Sequence, residues 1–227
     1  MCLILVAYLV KPEFPLIVAA NRDEFHARPA ERAAFWKDQP GILAGRDLEA
    51  LGTWMGVSRA GRFAAVTNYR GGREANALES RGLLVTRFLA DAHSADAYVT
   101  DAARRGSAYS GFNLLAEDRK ELWWCSNRGG DPRRLDTGVY GLGNLLLDTP
   151  ELGESKARLA RSIEFAACIE SMFDVLAAAR IVAPDYGTRC STVLLRGSDG
   201  RIQFAERSYD ANGSEGDTLR FELPPGS

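Results

Sequence analysis

At 227 residues the chain is long enough to bury a sizeable core, and residues 1–227 are expected to form a single domain. Its 46% hydrophobic and 26% charged residues are ordinary for a globular protein. A net charge of -2 gives no electrostatic reason for a nucleic-acid partner.

The opening run, Met1-Cys2-Leu3-Ile4-Leu5-Val6-Ala7-Tyr8-Leu9-Val10, lacks the basic segment of a signal peptide and is too short to cross a bilayer. No later segment approaches that length, so a cytoplasmic chain without a membrane span is expected. Leu3 to Val10 and Leu16 to Ala20 read as two buried strands, joined by a turn at Lys11-Pro12-Glu13-Phe14-Pro15. Both are apolar without alternation, the pattern of a sheet covered on two faces. A loop with Pro29, Pro40 and Gly41 follows, then a hairpin of Thr53 to Ser58 and Arg62 to Asn68 around Ala60-Gly61. Arg70, Arg73 and Arg81 form a basic run that Glu74 and Glu79 interrupt, which reads as solvated surface.

Ser80 is expected to cap a helix whose Leu83, Leu84, Phe88 and Leu89 share one side. The Ala-rich segment from Ser94 to Arg105 is also helical and stops before Gly106. Strands return at Phe112 to Ala116, Glu121 to Ser126 and Gly138 to Gly141. Glu154 to Ala179 is the longest helical stretch, with a break near Ala167. Pro184-Asp185-Tyr186-Gly187 ends it, and strands follow at Ser191 to Leu195, Arg201 to Arg207 and Thr218 to Leu223. This order predicts an α+β chain of antiparallel sheets sandwiched by helices, not a doubly wound parallel sheet. No glycine-rich phosphate loop occurs, so nothing supports nucleotide binding.

Cys2 is the most informative single position. Its side chain is small, so Met1 is expected to be removed, leaving Cys2 with a free α-amine. An α-amine titrates near ~7.7–8.0 and a thiol near ~8.5, so the amine can take the thiol proton without any histidine. Cysteines 2, 125, 168 and 190 form no CxxC pair, and His26 and His93 are the two histidines in the chain. Reduced thiols fit this spacing better than a disulfide framework, and neither a metal site nor a cofactor is expected. Cys2 is expected to react faster than the other three, which fall in apolar strands or helices.

If the first two strands pair as a hairpin, Asn21-Arg22-Asp23-Glu24 returns beside Cys2. Arg22 there lowers the thiol pKa by charge, and Asp23 or Glu24 orients the protonated amine. Asn68, Asn144 and Arg189 each stand at a strand end or start, where a donor can hold the oxyanion of an acyl-transfer intermediate. Strand-end asparagines also make turns, and by themselves these residues fit that role better.

Asn21-Arg22-Asp23-Glu24, Gly52-Thr53-Trp54, Thr67-Asn68-Tyr69-Arg70, Ser80-Arg81-Gly82, Gly111-Phe112-Asn113-Leu114, Gly141-Leu142-Gly143-Asn144 and Gly187-Thr188-Arg189 occur in this order. Together they resemble the NRDE family, also called the transport and Golgi organisation protein 2 family, over about residues 1 to 208. The chain departs from that family at Gly143, where Ser is usual, and at Glu151, where Trp is usual. The resemblance implies the four-layer αββα sandwich of the N-terminal-nucleophile hydrolases. It also implies a catalytic set of Cys2, Arg22, Asp23, Asn68, Asn144 and Arg189. The related acylases space their Arg and Asp as Arg-x-x-Asp, a spacing that Asn21 and Glu24 fit here.

Two functions follow as expectations. One is a cysteine amidohydrolase acting on a linear or cyclic non-peptide amide of an acyl or lipid-like substrate. The other is a carrier for a hydrophobic ligand such as haem or lipid, which the resemblance suggests through its association with haem trafficking and lipid metabolism. Trp36, Trp54, Trp123 and Trp124 are the aromatics a carrier cleft would use, although core burial is their commoner fate.

Overall fold

The structure is a computed structural model that describes residues 2–71 and 77–225. Met1, Arg73 and Glu74 lie outside the described residues, so the expectations for Met1 and for the basic run fall partly there. In chain order the strands are β1 (Leu3–Tyr8), β2 (Leu16–Phe25), β3 (Ala30–Phe35), β4 (Ile42–Asp47), β5 (Met55–Ser58), β6 (Phe63–Asn68), β7 (Phe112–Glu117), β8 (Leu122–Ser126), β9 (Arg133–Leu135), β10 (Gly138–Leu142), β11 (Tyr186–Arg196), β12 (Ile202–Tyr209) and β13 (Glu215–Leu223). The α-helices are α1 (Gly82–Ala90), α2 (Ala95–Arg104), α3 (Gly153–Phe165) and α4 (Ile169–Ala177). The chain divides into two compact units.

The first unit takes the residues up to 28, 137–143 and 147 onward. Its six-stranded antiparallel sheet runs β10-β1-β2-β11-β12-β13, so β1 and β2 are interior. Every residue of β1 and the first eight of β2 are buried, as the apolar runs of β1 and of Leu16 to Ala20 require, and the burial extends over the polar Asn21, Arg22 and Asp23. Leu3, Leu5, Ala7, Ile17 and Ala19 face the helices, where they pack with Leu159, Ile163, Met172, Phe173 and Leu176 of α3 and α4. Each fully buried Leu or Ile of this kind is worth about 1.5–3 kcal/mol. The expected helix break is at 166–168, where Cys168 caps α4 and the Ser171 hydroxyl accepts from the Cys168 amide at 3.2 Å. At one edge, β13 leaves Glu215, Asp217, Arg220 and Glu222 exposed.

The second unit takes residues 29–136 and 144–146. Its seven strands follow chain order, β3 to β9, in one antiparallel meander. Helices α1 and α2 cover one face through Leu84, Val85, Phe88, Leu89, Val99 and Ala102. Trp36 is buried in this core and Trp123 packs against it, while Trp124 is buried on the same sheet. The β5–β6 turn falls at Gly61, whose φ of 82° suits glycine, and the Gly61 amide donates to Ser58.

Three local expectations need correction. The segment with Pro29, Pro40 and Gly41 is not a loop but the β3–β4 hairpin, with Pro29 just before β3 and Pro40-Gly41 in the connection. β3 is an edge strand with little buried apolar surface, so it carries no hydrophobic run to announce it. Ser80 does not cap α1. Arg81 is the N-cap residue, already helical at φ -58° and ψ -34°, and the Ser80 carbonyl accepts from Leu83. β11 starts at Tyr186 rather than at Ser191.

Candidate active site

Cys2 stands one residue ahead of β1, and the β1–β2 register pairs Leu3 with Asn21. One step further along, Cys2 comes opposite Arg22. The thiol donates to the main-chain carbonyl of Asp23 at 3.5 Å. Burial, reinforced by the charge of Asp23, pushes the Cys2 thiol up, while the Arg22 guanidinium pulls it the other way.

Alternation along β2 sends Arg22 and Asp23 to opposite faces. The Arg22 side chain is buried and lies 4.0 Å from Glu24, which also meets Arg28 at 3.8 Å. The Asp23 carboxylate accepts from the Thr188 hydroxyl at 2.7 Å, and that hydroxyl accepts from the Ile181 amide at 2.9 Å. Asp23 therefore meets the thiol through its main chain. The β2–β11 register slips between Thr188 and Cys190, beside this contact.

Tyr186, at the start of β11, donates to the same Asp23 carbonyl at 3.1 Å, and its ring stands edge-on to Phe25 at 5.3 Å. Phe25 is exposed. Asn21 belongs to a fully bonded buried chain. Tyr209 donates to Ser191 at 3.0 Å, Ser191 to the Asn21 side-chain oxygen at 2.6 Å, and the Asn21 side-chain amide to the Leu176 carbonyl of α4 at 3.1 Å. Glu24 is half-exposed among arginines, so neither residue that fits the Arg-x-x-Asp spacing approaches the thiol in place of Arg22 and Asp23.

Arg189 is turned to main chain. Its Nη1 donates to the carbonyls of Phe25, His26 and Arg28 at 2.9, 3.0 and 3.2 Å. Cys2, Arg22, Asp23 and Arg189 thus gather about the end of β2 in the first unit. Asn68 and Asn144 belong to the second, where the Asn144 amide donates to the Asn68 carbonyl at 2.6 Å and the Asn144 carbonyl accepts from Arg70 at 2.6 Å.

The ranking of the thiols is corrected at one position. Cys125 and Cys190 are buried, and burial pushes Cys125 up to about 12 and Cys190 upward as well. Cys168 is instead exposed, and hydrogen bonding with Ser171 lowers its thiol pKa. It sits at a helix start, where the residue turns outward. Two residues of the cluster, Tyr186 and Thr188, carry no expected role. Tyr186 lies in a Pro-Asp-Tyr-Gly tetrad that reads as a helix breaker, and Thr188 lies inside a motif whose arginine draws the attention. Among the described residues no group of three or more His, Cys, Asp or Glu could hold a metal ion. No helix among them is long and apolar enough to cross a membrane.

Two solved structures share the architecture. The Caenorhabditis elegans N-acylethanolamine-hydrolyzing acid amidase ortholog aligns with a TM-score of 0.56 over 86% of this chain and 92% of its own, at 12% identity. A mutant conjugated bile acid hydrolase from Clostridium perfringens, with alanine replacing cysteine at its position two, aligns with a TM-score of 0.58 over 98% of this chain and 92% of its own, at 9% identity. The fold is therefore N-terminal-nucleophile hydrolase-like, and the expected α+β class with two antiparallel sheets is borne out. By sequence the chain belongs to the Transport and Golgi organisation 2 family, whose model matches residues 1–185. The Homo sapiens Transport and Golgi organization protein 2 homolog is 34% identical over 98% of this chain and 99% of its own.

Proposed function

We propose that the chain is an N-terminal-cysteine hydrolase that cleaves a non-peptide linear or cyclic amide of an acyl or lipid-like substrate. One observation carries the reading: Cys2 heads an interior strand with Arg22 and Asp23 of the neighbouring strand against it. The two solved structures described above are of proteins named as a hydrolysing amidase and a hydrolase, and one bears its substitution at a position-two cysteine.

With Met1 removed, the Cys2 α-amine takes the thiol proton and the thiolate attacks the amide carbon, forming a C–S bond. The tetrahedral oxyanion collapses, the C–N bond breaks, and the ammonium returns its proton to the leaving amine. Water, deprotonated by the same amine, then hydrolyses the thioester and restores the thiol. In this scheme Arg22 favours the thiolate by charge, and the Asp23 carboxylate, fixed by Thr188, orients the ammonium. Arg189 holds the strand end that carries both. The oxyanion role goes to Asn68 or Asn144, as the resemblance assigns it, and Asn→Ala there lowers kcat by about 10²-fold or more.

Intact-mass spectrometry of the Met1-free chain, quenched in acid after mixing with a long-chain N-acyl amide, tests the reading. The expected result is an acyl adduct that maps to Cys2 and is absent from Cys2→Ala. A Met1-free chain that never acylates, across short and long acyl amides, sinks it. The carrier reading has one observation of its own, a thiol that burial keeps protonated. It predicts haem or lipid binding that Cys2→Ala leaves unchanged.

A further inference from the structure

Tyr186 has no part in the scheme above, yet its hydroxyl and the Cys2 thiol end on one acceptor. The Asp23 carbonyl oxygen receives the thiol at 3.5 Å and the phenol at 3.1 Å. Two donors on one carbonyl oxygen stand about 5 Å apart, given the angles such oxygens accept. The phenol thus shares its acceptor with the sulfur and closes about 2 Å when it donates to the thiolate. Its place is fixed independently of that bond, because β11 pairs Tyr186 with Phe25 and the two rings pack edge to face.

We propose that Tyr186 is a positioning residue for the Cys2 sulfur: its hydroxyl occupies the carbonyl that otherwise holds the thiol proton, and it donates to the thiolate once that forms. The inference rests on Cys2 being the nucleophile. The charged groups about the sulfur are Arg22 and Asp23 from β2, with Glu24 further out against Arg22; from β11 come Tyr186 and, opposite Arg22, Cys190. Asp23 opposes the thiolate, Arg22 favours it, and Glu24 offsets part of the Arg22 charge. A neutral donor is what this arrangement lacks. Burial and the neighbouring negative charge push the Tyr186 phenol upward, so it keeps its proton and serves as a donor at neutral pH. Losing the hydroxyl acts in one direction through both routes. The Asp23 carbonyl then accepts from the thiol alone, which favours S–H, and the thiolate has one donor fewer.

The test is the pH dependence of iodoacetamide alkylation at each cysteine of the purified chain, read by peptide mass. Tyr186→Phe keeps the ring and removes the hydroxyl. It is expected to raise the apparent Cys2 pKa by about one unit, making alkylation about tenfold slower at neutral pH. Cys168, exposed and distant in sequence, serves as the control whose rate stays constant, and continued protection of Cys125 and Cys190 reports a folded chain. Should those two become reactive, 3-fluorotyrosine at position 186 decides the matter. It preserves shape and strengthens the donor, so Cys2 alkylation must speed up. A Cys2 pKa that is unchanged or lower in folded Tyr186→Phe, or unmoved by fluorination, overturns the proposal. No substrate is present in this experiment. A chain that shows the shift but never forms an acyl adduct therefore refutes the hydrolase and leaves the role of Tyr186 standing. An adduct without the shift does the reverse.

Discussion

Cys125 shows at the scale of one residue how burial becomes a pH dependence. Its thiol is fully buried beneath α2, and burial raises its pKa to about 12, against roughly 8.5 for a thiol in the unfolded chain. The folded state therefore holds this proton more tightly than the unfolded state. The stability it contributes is complete below about pH 8.5 and is lost as pH rises from there towards the folded value. Urea midpoints of the parent chain should fall between about pH 9 and pH 11, and Cys125→Ala should fall less steeply over that window. Parallel curves would mean that Cys125 does not titrate across the transition. The same scale explains which site residues were legible. Cys2 was, because position two and a hairpin register are local facts, and alternation then sets Arg22 and Asp23 on opposite faces. Tyr186 was not, because its importance lies in sharing an acceptor with a residue 184 positions away.

The end of β2 is the most instructive element. Apolar character stops at Ala20, and the strand was expected to stop with it, yet β2 continues to Phe25. Tertiary partners extend it, because Asn21, Arg22 and Asp23 are buried and β11 pairs with them as far as Phe25. Local sequence cannot announce a strand whose polar side chains are satisfied by groups some 160 positions away. β3 and β9 were missed for a related reason, since edge strands with few buried residues show no periodicity. β4 was missed as well, although it is interior and buries Ile42, Leu43 and Ala44, because its apolar run is only three residues long and follows Pro40-Gly41. The other interior strands and all four helices were legible because each buries an apolar run or stripe. Asn21 links three elements at this point, so Asn21→Ala should take one donor from the Leu176 carbonyl, which keeps Ala179, and the acceptor of the Ser191 hydroxyl, which still accepts from Tyr209. A loss of about 2 kcal/mol in chemical denaturation is expected, two buried hydrogen bonds being lost while each group keeps another partner. A change under about 0.5 kcal/mol would mean that water replaces the amide without cost.

For the whole molecule we propose that residues 1–227 fold as one domain although they divide into two units. The chain passes between the units at residues 28–29, 136–137, 143–144 and 146–147, so neither unit is a contiguous piece that can be completed alone. β10, which closes one edge of the six-stranded sheet, is reached only after the whole meander has been laid down. One cooperative transition is therefore expected. The four tryptophans all lie in the second unit and Cys190 in the first, which supplies a separate probe for each. Tryptophan fluorescence and Cys190 alkylation should share a single urea midpoint, and separated midpoints would establish independent folding. The exposed carboxylates of β13 matter at this scale too. The strand presents an open rim of backbone donors and acceptors, and its exposed Asp217 and Glu222 oppose a second copy laid against it, while Glu215 is held by Arg180 and Arg207. That repulsion is a guard against filaments, and it lasts only while the carboxylates are ionised. Mild acid weakens the guard while the rim stays in place, so self-association in acidic buffer is expected to begin at this edge before the core gives way.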